Sequence, residues 1–377
     1  VSVATYDVVV VGAGIVGSAC ANECVRQGLR VAVVDRDVAS GATAAGMGHV
    51  VVMDDSEAQF ALTRYSQQLW QELRPDLPYD VEYAQPGTIW IAADEEEMVE
   101  VRRKRDYYSQ RGVPVSVLDT QALEGLEPNL RKDLAGGLLV PEDGVLDPPC
   151  AARFLLDRAQ AGGAKIYSGV PVAQMGKGRV RAADGAEFSA GTIVNAAGAW
   201  APALTAGVDI RKRKGHLVIT NRYPGFVRHQ LVELGYLKSA HSIADDSVAF
   251  NVQPRRAGQI LIGSSRQYNA EHKEVDTDIL MQMMQRAQEY MPGLAQVSTV
   301  LSRAGFRAAT PDKLPLIGPW PADPTVYLAT GHEGLGITTS LASARILVDQ
   351  IVGCESLISI EPYLPSRTAK AVTGEHR

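Results

Sequence analysis

Apolar positions along the chain follow two different periods, and the changes of period mark its elements. Residues 7–11 form a continuous β-branched run, a glycine-rich hexamer follows, a helical stretch continues to Gln27, and after Gly28 a second apolar run fills residues 30–34. This succession predicts strand, tight turn, helix and strand, the opening of a βαβ unit. Residues 192–200 read as a later strand ending in small residues, behind a Gly- and Asp-rich hairpin at 176–185. Residues 87–92, 215–220, 247–252 and 259–263 alternate apolar with polar positions and predict a second, mainly antiparallel sheet interleaved with polar helices. Another glycine-rich turn at 331–336 is expected to open an amphipathic helix running to about Val352. Glu95, Glu96 and Glu97 followed by Arg102, Arg103, Lys104 and Arg105 predict a solvated helix whose charges pair along its own face. No internal repeat or low-complexity tract is visible, and the polar tail after Pro365 is expected to fray.

Composition narrows the class. The 377 residues, 46% hydrophobic and 21% charged, are enough for a sizeable core, and two domains are expected. A net charge of -6 offers no general attraction to phosphate backbones or anionic lipid, so no nucleic-acid partner is expected and a small metabolite is. The opening apolar run lacks a basic start and a cleavage site, and no stretch reaches the ~18 to 20 apolar residues of a membrane span. Direct membrane insertion is therefore not expected. Cys20, Cys24, Cys150 and Cys354 are scattered and form no CxxC pair, so neither a disulfide framework, a metal site nor an iron–sulfur cluster is expected, and a cytoplasmic location fits. Cys20 and Cys24, one turn apart on the first helix, read as small buried thiols.

The hexamer Gly12-Ala13-Gly14-Ile15-Val16-Gly17 carries the first chemistry. Gly12 is expected to make the tight turn, Gly14 to let backbone approach a pyrophosphate, and Gly17 to let helix pack closely on strand. The helix N-terminus then faces the phosphates. Asp35 closes the second strand, where a carboxylate accepts both hydroxyl protons of an adenosine ribose, with Arg36 beside it. Two more small-residue segments follow the same logic: Ser40, Gly41, Ala42, Thr43, Ala45, Gly46, Met47 and Gly48, then Asn195, Ala196, Ala197, Gly198 and Trp200. The third is Gly331, His332, Glu333, Gly334, Leu335 and Gly336. Three such clamps, spread from one end of the chain to the other, imply a cofactor longer than a nicotinamide dinucleotide needs, namely FAD.

Taken in order, VVVVGAGIVG, SGATAAGMG, VNAAGAWA, the block from Arg303 to Gly318 with its GFRAATPD core, and GHEGLG resemble the D-amino-acid oxidase and glycine oxidase family of flavoproteins, the DAO family, over nearly the whole chain. Within it, GMGHVVVMDD and GHEGLGITTS are most similar to the catalytic subunits of bacterial D-hydroxyproline dehydrogenases, with opine dehydrogenase subunits as near relatives. The resemblance implies a Rossmann-like α/β FAD-binding domain of the glutathione-reductase type, formed by residues 1–53, 141–213 and 303–377. It implies an α+β substrate domain on a mainly antiparallel sheet from residues 54–140 and 214–302. Val172, Gly305, Ile337 and Thr338 join the clamps as expected cofactor contacts.

Arg307 stands at the family position whose arginine binds the substrate carboxylate, and a guanidinium grips a carboxylate through two parallel hydrogen bonds. It is also expected beside the cofactor. Arg303 reads equally as a surface residue. His49 and His332 flank two of the clamps and are the candidate acceptors of a proton from a substrate ammonium; the resemblance also implies that no enzymic base is essential, so both read equally as structural. The helix opened by Gly334 and Gly336 would stabilise negative charge on the reduced flavin. Tyr236 and Arg266 are expected on the substrate side. Residues 303–309 hold no cysteine, so the FAD is expected to be noncovalent.

The activity implied is dehydrogenation of the C–N bond of a D-configured cyclic or secondary amino acid, D-hydroxyproline foremost, to an imine. The chain would act as one subunit of a hetero-oligomer whose partner subunits carry an electron relay and provide any membrane association. A glycine or D-amino-acid oxidase, or an opine dehydrogenase subunit, is the alternative within the same chemistry. A noncatalytic FAD-carrying scaffold subunit is the alternative of another class.

Overall fold

The computed structural model describes residues 4–235, 246–268 and 270–368. They form two compact units, one of residues up to Thr43, Pro149–Arg211 and from Arg307 onward, the other of Ala44–Pro148 and Lys212–Phe306. Residues 44–53, 141–148, 212–213 and 303–306 therefore fall in the second unit, a different division from the expected one. Local pairing explains the difference: His49–Val50 runs antiparallel to Gly144–Val145, and the Val52 amide donates to Asp143 Oδ1 at 3.1 Å. Gln253, also in the second unit, donates from Nε2 to the Met47 carbonyl.

In the first unit Ala4–Val11 lies parallel between Val31–Asp35 and Glu187–Asn195. The sheet continues through the parallel strand Asp323–Thr330 to an antiparallel edge, Leu316–Trp320, and on its other side ends at Lys165–Ser168. Val172–Gly176 and Arg179–Ala182 form the expected hairpin on Glu187–Asn195. Central parallel strands are covered on both faces, so they read as unbroken apolar runs: Val8, Val9 and Val10 are fully buried, as are Ala32, Val33 and Val34. The helices Ile15–Arg26 and Gly336–Val352 pack on each other. The second of these is not amphipathic as expected. Thr338, Thr339, Ser340, Ala342, Ser343 and Ala344 are all buried, because small side chains let the two helices approach closely. The hydroxyls of Thr339 and Ser340 donate back to the carbonyls of Leu335 and Ile337, at 2.8 and 3.0 Å, which satisfies them inside the core. Cys20 and Cys24 are buried on the first helix, as their spacing predicts. Past Pro365 the chain stays tied as far as it is described, since Arg367 grips Asp312 (Nε–Oδ2 2.7 Å) and the Leu314 carbonyl.

The second unit is built on a sheet in the order Thr299–Ala309, Arg211–Arg222, Gln259–Arg266, Ser247–Pro254, Gln230–Glu233, Thr88–Ala92, Gly136–Val140, Ser116–Asp119. Its pairs are antiparallel wherever their register is described, except Gln230–Glu233 with Thr88–Ala92, which is parallel. Alternation along Thr88–Ala92 sends Ile89 and Ile91 into a core with Phe250, Val252 and helix Thr277–Tyr290, while Trp90 and Ala92 enter one with Phe60, Val101 and Tyr108. The helix Glu95–Gln110 is capped by Asp94, whose Oδ1 accepts the Glu97 amide at 2.9 Å. Its charged face is only partly the solvated one expected. Arg103 pairs with Glu100 at 2.7 Å, but Lys104 is buried, ion-paired with equally buried Asp54, its ammonium 4.7 Å from the Trp90 ring centroid. Burial alone would raise the Asp54 carboxyl; Lys104 and Arg103 outweigh it and hold that carboxyl below the usual range.

Candidate cofactor and substrate site

Three glycine turns meet at the carboxyl ends of three neighbouring parallel strands. Gly12, with φ of +110°, backs onto the Ala196 carbonyl, which a Cβ at position 12 would approach to 2.5 Å. The Ala196 amide donates to Val11 O at 2.9 Å. Gly17 turns toward the same loop, and a Cβ there would sit 1.9 Å from Gly12 O, so the helix lies against the turn with no room for a methyl group. Gly14 is the N-cap of Ile15–Arg26 and has no side-chain cap of its own; Thr43 supplies one, accepting the Ile15 amide at 3.0 Å. Asp35 stands at the end of the next strand, where its two oxygens accept the amides of Ala13 and Asp37. A carboxylate offers about four acceptor positions, so this arrangement leaves capacity for further donors. A bare backbone turn, a helix N-terminus and a half-buried carboxylate one strand away form a donor and acceptor set that fits the pyrophosphate and ribose of a dinucleotide.

The second turn is anchored by fully buried Asn195, whose Nδ2 donates to Ala201 O and Thr205 Oγ1 and whose Oδ1 accepts the Ala197 amide. Asn195 was read only as part of the motif; its position at a strand end followed by small residues was the available signal. Gly198 O accepts the Thr330 hydroxyl at 2.9 Å, which ties this turn to the third. Trp200 closes the segment beside Gly41. In the third turn, His332–Glu333 pairs with Ala308 and Ala309, and Gly336 begins the helix 3.9 Å, measured from an added Cβ, from Val16. Leu335 is the helix N-cap, and Ile337 and Thr338 are buried in its first turn. Arg307 lies against this turn, its Nε 3.7 Å from where a Gly334 Cβ would be.

His332, the other candidate proton acceptor, stands at this turn. It is buried, its Nε2 shares a 3.0 Å hydrogen bond with Ser343 Oγ, and burial pushes its pKa down to about 3. Burial disfavours the charged ring, and the bond to Ser343 ties the turn to the helix. Val172 packs with Val9, Val11 and Ile193 in the apolar cluster on the sheet. Arg36 and Ala42 are exposed, while Ser40 and Gly41 are half-buried.

Ala45, Gly46, Met47, Gly48, His49 and Gly305 belong to the second unit. There Gly48, with φ of +95°, meets the Leu146 carbonyl, 1.9 Å from an added Cβ, and Met47 lies over Gly263. His49 sits on the short strand paired with Val145. Arg303, read equally as a surface residue, instead donates from Nη1 to the Ala44 carbonyl at 2.9 Å and so fixes the small-residue loop. Arg266 is buried on Gln259–Arg266, and Tyr236 lies outside the described residues. Among the described residues no His, Cys, Asp or Glu cluster is arranged to hold a metal ion.

Residues 7–350 match the DAO family of FAD dependent oxidoreductases, and the chain belongs to that family. It is an FAD-dependent oxidoreductase. It is 28% identical to the glycine oxidase of Geobacillus kaustophilus over 96% of this chain and 97% of that one. It is 28% identical to hydrogen cyanide synthase subunit HcnC of Pseudomonas aeruginosa over 96% of each. The crystal structure of the Geobacillus kaustophilus glycine oxidase superposes with a TM-score of 0.87 at 25% identity, covering 98% of this chain and all of that one. L-proline dehydrogenase from P. horikoshii shares the fold, with a TM-score of 0.85 at 22% identity over 97% and 98% of the two chains.

Proposed function

We propose that this oxidoreductase dehydrogenates the C–N bond of a small amino acid, with a D-configured cyclic or secondary amine, D-hydroxyproline foremost, as substrate and an imine as product. The observation that carries the reading is the convergence of three glycine turns with Arg307 beside the third. FAD, when bound, supplies the acceptor for the hydride equivalent that leaves the substrate carbon. The turn from Gly12 to Gly17 and the first helix N-terminus would hold the pyrophosphate noncovalently, and Asp35 the ribose. The N-terminus of Gly336–Val352 would favour negative charge on the ring system. Arg307 would fix the substrate carboxylate by two parallel hydrogen bonds, which sets position and orientation together. With His332 neutral and engaged by Ser343, the substrate amine is best delivered already deprotonated.

HcnC is named as a subunit, which supports a partnered chain that discharges electrons to a relay in another subunit. A cytoplasmic location, with any membrane association through such partners, belongs to the same reading; no helix among the described residues is long and apolar enough to cross a membrane. The likeness to glycine oxidase favours a second reading, oxidation of glycine or a D-amino acid with oxygen as acceptor. An anaerobic screen of flavin bleaching across proline derivatives, D-amino acids, glycine and opines separates the two. Fastest bleaching by D-hydroxyproline is the expected result; fastest bleaching by glycine moves the assignment to the second reading.

A further inference from the structure

On the second unit a surface cleft of about 370 Å³ is lined by three arginines, Arg74, Arg255 and Arg256, together with Tyr83, Gln85, Pro254 and Val145, the strand partner of His49; none of its described lining residues is a carboxylate. That volume suits a small organic molecule. The three cations are not equivalent. Arg255 is neutralised by two acids, Glu82 at 2.8 Å and Asp147 at 2.5 Å, and so acts as a fixed wall. Arg74 has a neutral partner instead, donating from Nη1 to Gln85 Oε1 at 2.8 Å, with its guanidinium carbon 5.9 Å from the Tyr83 ring centroid. Gln85 is itself held, through Nε2, on the Glu142 carbonyl at 3.2 Å. Arg256 lies 4.5 Å over the ring of Tyr79, an aromatic residue that is 71% exposed. Two guanidinium groups are thus oriented by an amide and by aromatic faces, contacts with neutral groups. Carboxylates take up the charge of Arg64, Arg103, Arg111 and Arg286 elsewhere in this unit.

We propose that this cleft is a second binding site, for a small organic anion: a carboxylate or phosphate monoester with an apolar body. Arg74 and Arg256 would take the anionic head through paired N–H donors, and Tyr83 and Pro254 would take the body. The pre-set guanidinium positions lower the ordering cost of binding. The inference is independent of the substrate assignment above.

The test is calorimetric titration of the holoenzyme with phenyl phosphate, phenylacetate and uncharged benzyl alcohol. It is run in the wild type, in Arg307→Ala, and in Arg307→Ala combined with either Arg74→Gln or Arg256→Gln. Removing Arg307 first takes away the other candidate carboxylate anchor. At least one anion should bind to Arg307→Ala, and the added substitution should raise its Kd about tenfold or more, the size expected for a lost charge-assisted contact. Preference for phenyl phosphate assigns a phosphate ligand, and preference for phenylacetate a carboxylate ligand. Retained flavin and an unchanged circular dichroism spectrum identify the folded variants, and both Arg74 and Arg256 are exposed, so neither substitution opens the core. The proposal is overturned if neither anion binds to Arg307→Ala, if benzyl alcohol binds as tightly, or if the Kd is indifferent to both added substitutions.

Discussion

Arg307 lies beside Gly334, a position whose lack of a side chain leaves the turn open next to the guanidinium. If it anchors the substrate carboxylate, Arg307→Ala raises KM and also slows flavin reduction, because binding and alignment are lost together; the loss in kcat/KM corresponds to about 2 to 3 kcal/mol. Arg307→Lys restores charge without the fork and recovers only part of the rate. Stopped-flow reduction across substrate concentration measures both, and an alanine variant behaving like wild type would remove the assignment. Asp35 makes a different prediction. Its carboxylate holds the amides of Ala13 and Asp37, so Asp35→Ala both slackens the glycine turn and deletes the candidate ribose contact. The FAD dissociation constant should rise about tenfold, with the reduction rate of still-loaded enzyme little changed. A rate that collapses while FAD affinity holds would place Asp35 in the chemistry and not in retention. For His332, buried against Ser343 and neutral, substitution by Gln should leave the pH dependence of flavin reduction where it is. A displaced profile would restore it as a proton acceptor.

At the scale of elements, the join between Gly144–Val145 and its neighbours hides a titrating carboxyl. Asp143 is buried, and burial pushes its pKa from 3.8 to about 7 despite hydrogen bonds from the Val52 amide and Gln67 Nε2. A carboxyl raised on folding favours the folded state when it is protonated in both states. Its contribution is therefore full below about pH 4 and is lost as pH climbs through the window to about 7, by up to about 4 kcal/mol. Asp143→Asn keeps an acceptor at Oδ1 and removes the ionisation, so Tm of the wild type relative to this variant should fall across that window. A difference that is flat, or rises with pH, contradicts the burial argument. This region also marks where sequence stops being informative. The βαβ opening was legible because Gly12, Gly17 and Asp35 act within one short stretch, and the alternating strands because period and burial coincide. The small residues of Gly336–Val352 could not reveal a helix buried all round without knowing its partner helix. Lys104 looked solvated because its counter-ion, Asp54, is fifty positions away. The loop after Thr43 left the expected unit because its partners, near Asp143 and Gln253, come from distant strands. Arg307 beside Gly334 was legible only through the motif, since no periodicity brings those two positions together.

For the whole molecule, the open question is where electrons go after substrate oxidation. Cys20 and Cys24 are buried on one helix, with both thiols raised by burial, and Cys150 and Cys354 lie apart in sequence, an arrangement unlike the clustered cysteines of an iron–sulfur site. On the proposed function, the reduced flavin discharges either to oxygen or to a cofactor held by another chain. The two routes make opposite demands on the isolated protein. A chain that relies on a partner should reoxidise slowly in air and quickly with an artificial dye, and should be recovered with additional subunits when expressed beside its genomic neighbours. An oxidase should consume oxygen, release peroxide in step with substrate and remain homomeric. We expect the first pattern: after anaerobic reduction by substrate, dye should restore the oxidised spectrum at least about tenfold faster than air, and the native particle should contain subunits other than this chain. Rapid reoxidation in air with stoichiometric peroxide and a stable homomeric particle would transfer the protein to the oxidases, with the candidate FAD site and the Arg307 prediction left standing.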